Sequence, residues 1–123
     1  MSTNIQAKAN LIWEVATKLV GVFKPHEYGK VILPMTVLKR FDDILKPTKQ
    51  AVLEKCEEVK NFEVKDAFLT EASGYSFYNT SRYDFEKLLS DPDNIESNFK
   101  NYLNGFSDNI IDIMNNFRFD DIL

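Results

Sequence analysis

The spacing of apolar positions along the chain predicts a series of amphipathic helices. Between residues 10 and 22 they recur at intervals of three and four, the period of one helix face: Ile12, Val15, Leu19 and Val22. Asn10 is the expected N-cap, so residues 1–9 are predicted to be disordered or loosely ordered. Gly21 and the Lys24-Pro25 pair are expected to end this helix.

The second predicted helix is the most apolar and covers about residues 26–46. Its apolar side spans an arc of roughly 200° and comprises Val31, Leu33, Pro34, Val37, Leu38, Phe41, Ile44 and Leu45. A helix this apolar is expected to be central, with packing on more than one side. The sequence leaves open whether Pro34 kinks the helix or lies near its start; in either case Pro34 faces the core. Pro47 ends the helix.

Further helices are predicted in the rest of the chain. One is capped by Thr48 and runs through Lys60, and a weaker one ends near Gly74. An irregular segment near residues 74–82 follows, and the alternating residues of 75–85 fit two short strands or an ordered loop. Ser81 with Asp84 resembles a capping box for a short helix.

The last part of the chain carries two more helix signals. Ser90 or Asp91 as cap, with Pro92 in the first turn, begins a helix that stops at Asn104-Gly105. Ser107 begins a final helix whose inward residues are Ile110, Ile111, Met114 and Phe117. The predicted fold class is therefore all-α, a compact multi-helix domain of 10–123.

Charge is distributed unevenly over the two halves. The net charge is −4, but residues 1–65 carry eleven Lys and Arg against eight Asp and Glu, whereas residues 66–123 carry four against eleven. Any contact with nucleic acid is therefore expected to come from the first half, and the second half suits a basic protein partner or a solvated surface. No apolar run is long enough to span a bilayer and no signal peptide is evident, so a cytoplasmic protein without membrane contact is expected.

The residues for common catalytic and cofactor chemistry are missing. The single Cys56 and the single His26 lie too far apart for a zinc site of ordinary spacing, and the four glycines form no phosphate-binding loop. The adjacent carboxylates Asp42 and Asp43 point about 100° apart on a helix. No catalytic, cofactor-binding or metal residue is therefore predicted.

Two groups of polar residues remain as candidate contacts with DNA or another subunit. Lys39 and Arg40 lie on the predicted polar side of the central helix, followed by Lys46 and Lys49, and could bind phosphate oxygens. The alternative is that Asp43 pairs with Lys39 and Arg40 on a solvated face. In "YNTSRY", Asn79 and Arg82 could bind phosphate or a base, or belong to a capped loop with inward aromatics.

Four motifs carry a family resemblance. They are "EYGKVILPMTVLKRFDDILKPTK", "FYNTS", "YLNGFS" and the final "FRFDDIL". In order and spacing they resemble the N-terminal helical domain of the modification (M) subunit of type I restriction-modification systems. The resemblance implies a longer parent, an adenine-N6 DNA methyltransferase that uses S-adenosylmethionine. The implied partners are double-stranded DNA, a specificity (S) subunit, a second M subunit and a restriction (nuclease-translocase) subunit.

The same resemblance restricts what this chain is expected to do. The cofactor loop and the catalytic Asn-Pro-Pro-Tyr/Phe motif of the family do not occur, so the domain is expected not to methylate by itself and to need no cofactor. The apolar chain end is expected to continue into the catalytic domain. The alternative function is a stand-alone helical adaptor that binds a basic protein through its acidic second half.

Overall fold

A computed structural model describes residues 2–21 and 28–117 of the chain. The fold is all-α, as predicted. Short 3₁₀ turns at Lys46–Thr48 and Pro92–Asn94 lead into two of the helices. The α-helices are α1 (Ser2–Val20), α2 (Tyr28–Leu45), α3 (Lys49–Glu58), α4 (Asp66–Ser73), α5 (Phe85–Ser90), α6 (Ile95–Asn104) and α7 (Asp108–Asn116).

The first helix begins earlier than the sequence predicted. It starts at Ser2, so residues 2–9 are helical and the prediction of a loosely ordered N-terminus is wrong. Asn10 lies inside the helix, where its side chain accepts a hydrogen bond from Gln6 one turn earlier (3.1 Å). Asn10 is therefore not the N-cap of α1, and its side chain makes a contact within the helix.

The central position of α2 is confirmed, and the helix runs through Pro34. Val31, Pro34 and Leu38 are buried, so Pro34 faces the core as expected. Leu33 is instead exposed, and the apolar face is narrower than predicted on that side.

The main hydrophobic core lies between α2 and the helices around it. Side chains of α1, α2, α5, α6 and α7 form this core, with Val15, Met35, Phe85, Phe99, Tyr102, Ile110 and Met114 among the buried residues. The ring of Tyr102 meets Phe106 edge to face at 5.1 Å. A second, smaller core joins α3 and α4 through Val52, Leu69 and Tyr78.

The segment between α4 and α5 is an ordered loop, which decides between the two alternatives. Gly74 ends α4 in the left-handed conformation (φ 82°), as the sequence indicated. The loop then pairs with the end of α6 through a single antiparallel bridge between Asn79 and Phe106. The cap of α5 is Asp84, which accepts a hydrogen bond from the Lys87 backbone N–H (2.8 Å). The prediction of Ser81 as that cap is wrong.

Some predictions fall outside the described residues. They concern Val22, the helix end at Lys24-Pro25, His26, and the chain end from 118 to 123. Within residues 2–21 and 28–117, no helix is long and apolar enough to cross a membrane.

Candidate functional site

Lys39 lies inside the protein and not on an exposed polar face. The residue is only 6% exposed. Its ammonium Nζ lies 2.6 Å from Asp43 Oδ1 and 3.8 Å from Asp42 Oδ2, and 5.6 Å from the centre of the Phe85 ring. The prediction of an accessible Lys39 is wrong. Of the predicted alternative, the Lys39–Asp43 ion pair is confirmed, but Lys39 is not on a solvated face. Lys39 is too enclosed to reach a phosphate.

Asp42 is the carboxylate most affected by this environment. Its Oδ1 accepts a hydrogen bond from the Tyr102 hydroxyl at 3.0 Å. Burial raises the pKa of Asp42 to about 6, although the Tyr102 hydrogen bond and the Lys39 charge act in the opposite direction. Burial also raises the pKa of Tyr102 well above its ordinary value. At neutral pH the pair is therefore a carboxylate held by a neutral phenol.

The pKa of Asp43, the next residue, is shifted in the opposite direction. Burial alone would raise its pKa, but hydrogen bonds from Lys39 and Lys8 lower it below the ordinary value. Lys8 reaches Asp43 from α1, with Nζ and Oδ2 3.2 Å apart. The two neighbouring carboxylates of α2 thus differ because one faces the core and the other faces two ammonium groups.

Lys49 is held in place at the start of α3. Its Nζ donates a hydrogen bond to the Tyr83 carbonyl oxygen (3.1 Å) and lies 5.8 Å from the centre of the Tyr102 ring. Burial lowers the pKa of Lys49 to about 8, against the attraction of Asp42 and Asp84 and with a further lowering from Lys87. Lys49 connects α3 to the loop that precedes α5.

Lys46, Lys87 and Arg82 are exposed cationic residues near Lys49: Lys46 lines the same cavity, Lys87 acts on the charge of Lys49, and Arg82 precedes the Tyr83 that Lys49 contacts. Lys46 forms an exposed ion pair with Glu86 (3.2 Å). The Arg82 guanidinium lies 4.9 Å from the centre of the Tyr83 ring and donates a hydrogen bond to the hydroxyl of that ring (2.7 Å). We call Lys46, Lys49, Arg82 and Lys87 the basic corner. The sequence predicted three of its members, and Lys87 was missed because only the fold brings α5 next to Lys49.

The two other candidates do not belong to the basic corner: Arg40 lies outside it, and Asn79 lies inside the fold. Arg40 is exposed on α2 and forms no ion pair with any described residue. Asn79 is buried; its amide donates to the Tyr102 carbonyl (3.0 Å) and accepts from the Ser81 N–H (2.6 Å). Asn79 holds the loop to α6, so the prediction of an accessible Asn79 is wrong.

The interior next to the basic corner offers little room for a ligand. A cavity of about 20 Å³ lies between Asp42, Lys49, Asp84 and Tyr102, large enough for about one water molecule. In the described ranges no group of three or more His, Cys, Asp or Glu could hold a metal ion. The exposed cations beside the cavity can bind anions at the surface.

Comparison with known proteins identifies the family. No curated protein and no solved structure shows a significant match to the chain. The family described as HsdM N-terminal domain matches residues 8–123. Since this match covers nearly the whole chain, the chain belongs to that family and is the N-terminal part of the modification subunit of a type I restriction-modification system.

Proposed function

We propose that this domain lies next to DNA and contributes to subunit assembly in a type I adenine-N6 DNA methyltransferase, without being catalytic itself. The observation that carries the DNA contact is the basic corner. It presents Lys46, Arg82 and Lys87 as exposed cations around the anchored Lys49. Phosphate oxygens are the natural ligands of such a group, because contacts to the DNA backbone come mainly from Arg and Lys.

The cations of the basic corner can exchange their present contacts for contacts with phosphate. The Lys46–Glu86 pair is exposed on both sides, and pairs of this kind contribute only about 0–1 kcal/mol. Lys46 can therefore leave Glu86 for a phosphate at small cost. Stacking on Tyr83 holds the planar Arg82 guanidinium at the surface and leaves the rest of its edge available for two parallel hydrogen bonds to phosphate.

DNA binding of the assembled methyltransferase tests this role. The variant is Lys46→Ala with Arg82→Ala in the M subunit, and the measurement is the dissociation constant at several salt concentrations. Each lost phosphate contact reduces the slope of log K against log [salt] by about 0.9, so we expect a reduction of about one to two. The loss should be similar for all DNA sequences, since phosphate contacts do not read bases.

The matched control changes two lysines elsewhere. Lys55 and Lys60 belong to the α3 region and pair with Glu58 and Glu57. Lys55→Ala with Lys60→Ala removes the same charge and should leave the slope unchanged. Equal slopes in the control and the Lys46/Arg82 variant would remove the basic corner from the DNA interface. Arg40→Ala, measured separately, decides whether the outer face of α2 joins that interface.

Membership in the family supports a proposal for the remaining partners. We propose assembly with a specificity subunit, a second M subunit and a nuclease-translocase subunit, with S-adenosylmethionine bound by a separate catalytic domain. Calorimetric titration of this 123-residue chain with S-adenosylmethionine should then give no binding heat. Saturable binding would place part of the cofactor site on this chain and contradict the proposed division.

A further inference from the structure

The helices α3 and α4, with the turn between them, expose three large apolar side chains. Phe62 is 49% exposed, Val64 69% and Phe68 40%. The two phenylalanine rings pack edge to face, with centroids 5.4 Å apart. An exposed pair of aromatic rings is typical of contact surfaces, where aromatic residues are enriched.

Neither hydrophobic core uses these three side chains. The core beneath α3 and α4 consists of Val52, Leu69 and Tyr78, with Cys56 and Ala72 against it. Phe68 is adjacent to the buried Leu69 but projects outward, to the groove between α3 and α4. Burying Phe68 therefore requires a partner that lies over this groove.

The charge around the groove is negative. Residues 50–74 contain three lysines against six aspartates and glutamates, a net charge of −3. The groove is open, has a volume of about 400 Å³, and is bordered by Phe68 together with Glu54, Glu58, Glu71, Lys55, Ala51 and Ala72. We call Phe62, Phe68, Glu54 and Glu71 the α3–α4 surface, since Phe62 packs on the Phe68 that borders this groove.

Two carboxylates of this surface are not neutralised. Lys55 is engaged by Glu58 at 3.0 Å. Glu54 accepts a hydrogen bond from the neutral Gln50, and Glu71 forms no ion pair with any described residue. An incoming cation would therefore find Glu54 on α3 and Glu71 on α4 available, both at the groove that the exposed Phe68 borders.

We propose that the α3–α4 surface docks a basic amphipathic segment of a partner protein. The apolar side chains of the docked segment pack on Phe68 and Phe62, and the Lys or Arg side chains of that segment pair with Glu54 and Glu71. This inference rests on the proposed assembly role and gives that role a surface. DNA does not fit, because its phosphates would meet these carboxylates. A second copy does not fit, because a twofold contact would oppose the same negative charges.

Peptide binding to this chain in the absence of DNA tests the docking. The probe is a fluorescent peptide of Leu and Lys spaced to form a basic amphipathic helix, and its comparison peptide carries Glu in place of Lys. Fluorescence anisotropy should show binding of the Lys peptide alone. Glu54→Gln with Glu71→Gln should weaken binding by about tenfold, since each ion pair of this kind contributes up to about fivefold.

A control with the same net charge separates the surface from general attraction. Glu14→Gln with Asp112→Asn removes two exposed carboxylates from α1 and α7 and should leave the affinity within about twofold. Phe68→Ser should weaken binding to the same extent as the Glu54/Glu71 variant, whereas Leu33→Ser, at an apolar position on α2 that is also exposed (56%), should not.

Three outcomes would overturn the proposal. They are equal binding of the Glu peptide, equal losses in the control and the Glu54/Glu71 variant, and sedimentation that shows a dimer abolished by Phe68→Ser. The last outcome would assign the surface to a second copy. Peptide binding is measured without DNA, so a negative result would not contradict the proposed DNA contact of the basic corner. Likewise, an unchanged salt slope in the DNA-binding test would not contradict the proposed docking.

Discussion

Replacing Asp42 by Asn should stabilise the domain at neutral pH and remove part of its pH dependence. Below about pH 3 the carboxyl of Asp42 is largely neutral in both the folded and the unfolded chain. As the pH rises, the unfolded chain loses this proton near 3.8, whereas the folded chain keeps it until about pH 6. The free energy of unfolding therefore falls through this interval, and the loss is complete above pH 6.

The size of this effect follows from the shift in pKa. From 3.8 to about 6 is about two units, and each unit corresponds to about 1.4 kcal/mol, so the charged Asp42 lowers the free energy of unfolding by about 3 kcal/mol. Asn keeps an oxygen for the Tyr102 hydroxyl and loses the attraction to Lys39 at 3.8 Å. Lys39 retains Asp43 at 2.6 Å, so its charge stays paired.

The assay is urea unfolding followed by far-ultraviolet circular dichroism at about pH 4 and about pH 7.5. Comparing the variant with the wild type at both values cancels contributions that do not depend on pH. We expect the stability of Asp42→Asn relative to wild type to rise by about 2–3 kcal/mol between the two conditions.

Asp43→Asn is the control with the opposite sign. The pKa of Asp43 is lowered by Lys39 and Lys8 against the effect of burial, so its charge stabilises the fold above about pH 4, and that stabilisation is lost in acid. The difference between Asp43→Asn and the wild type should therefore change below about pH 4, where the variant loses stability relative to wild type as the pH rises, and should stay nearly flat between about pH 4 and about pH 7.5. A flat difference for Asp42→Asn, or one that follows Asp43→Asn, would refute the argument that burial dominates at Asp42.

Three further substitutions test local geometry by the same unfolding measurement. A Cβ on Gly105 would lie 2.5 Å from Asn79 Oδ1, so Gly105→Ala should destabilise by about 1–3 kcal/mol; an unchanged midpoint would mean that the loop moves freely away from α6. Gly74→Ala meets no atom within 4 Å but has φ 82°, so a loss of about 1–2 kcal/mol measures backbone strain alone, and no loss would deny that strain. Asp84→Ala removes the cap to the Lys87 N–H and should cost about 1 kcal/mol, whereas Asp84→Asn should retain most of it.

Signals within one turn of chain predicted the local structure well. The end of α4 near Gly74 and the start of α7 after Ser107 were both predicted from the sequence. The sequence predicted Ser81 as the cap of α5, with Asp84 as the acid of the capping box. Asp84 is the cap because the Ser81 hydroxyl is engaged by Asn101 at 2.6 Å and by the Tyr83 N–H, contacts that depend on where α6 lies.

The hydrophobic pattern could not predict which charged residues are buried. Helix periodicity correctly put Lys39 next to Asp43, but exposure depends on what packs over that side of α2. Phe85, from α5, covers it, and Tyr102, sixty residues away, supplies the hydroxyl for Asp42. No local signal joins these residues, so a lysine predicted to bind phosphate is instead part of the interior.

The uneven charge of the two sequence halves does not correspond to two separate surfaces in the fold. The basic first half and acidic second half suggested one surface for each. The basic corner takes Lys46 from the first half and Arg82 from the second, and the α3–α4 surface takes Glu54 from the first and Glu71 from the second. Packing of α3 on α4 and of the loop before α5 on Lys49 crosses the boundary in both cases. The two surfaces are therefore products of tertiary structure, and each needs its own charge-matched control.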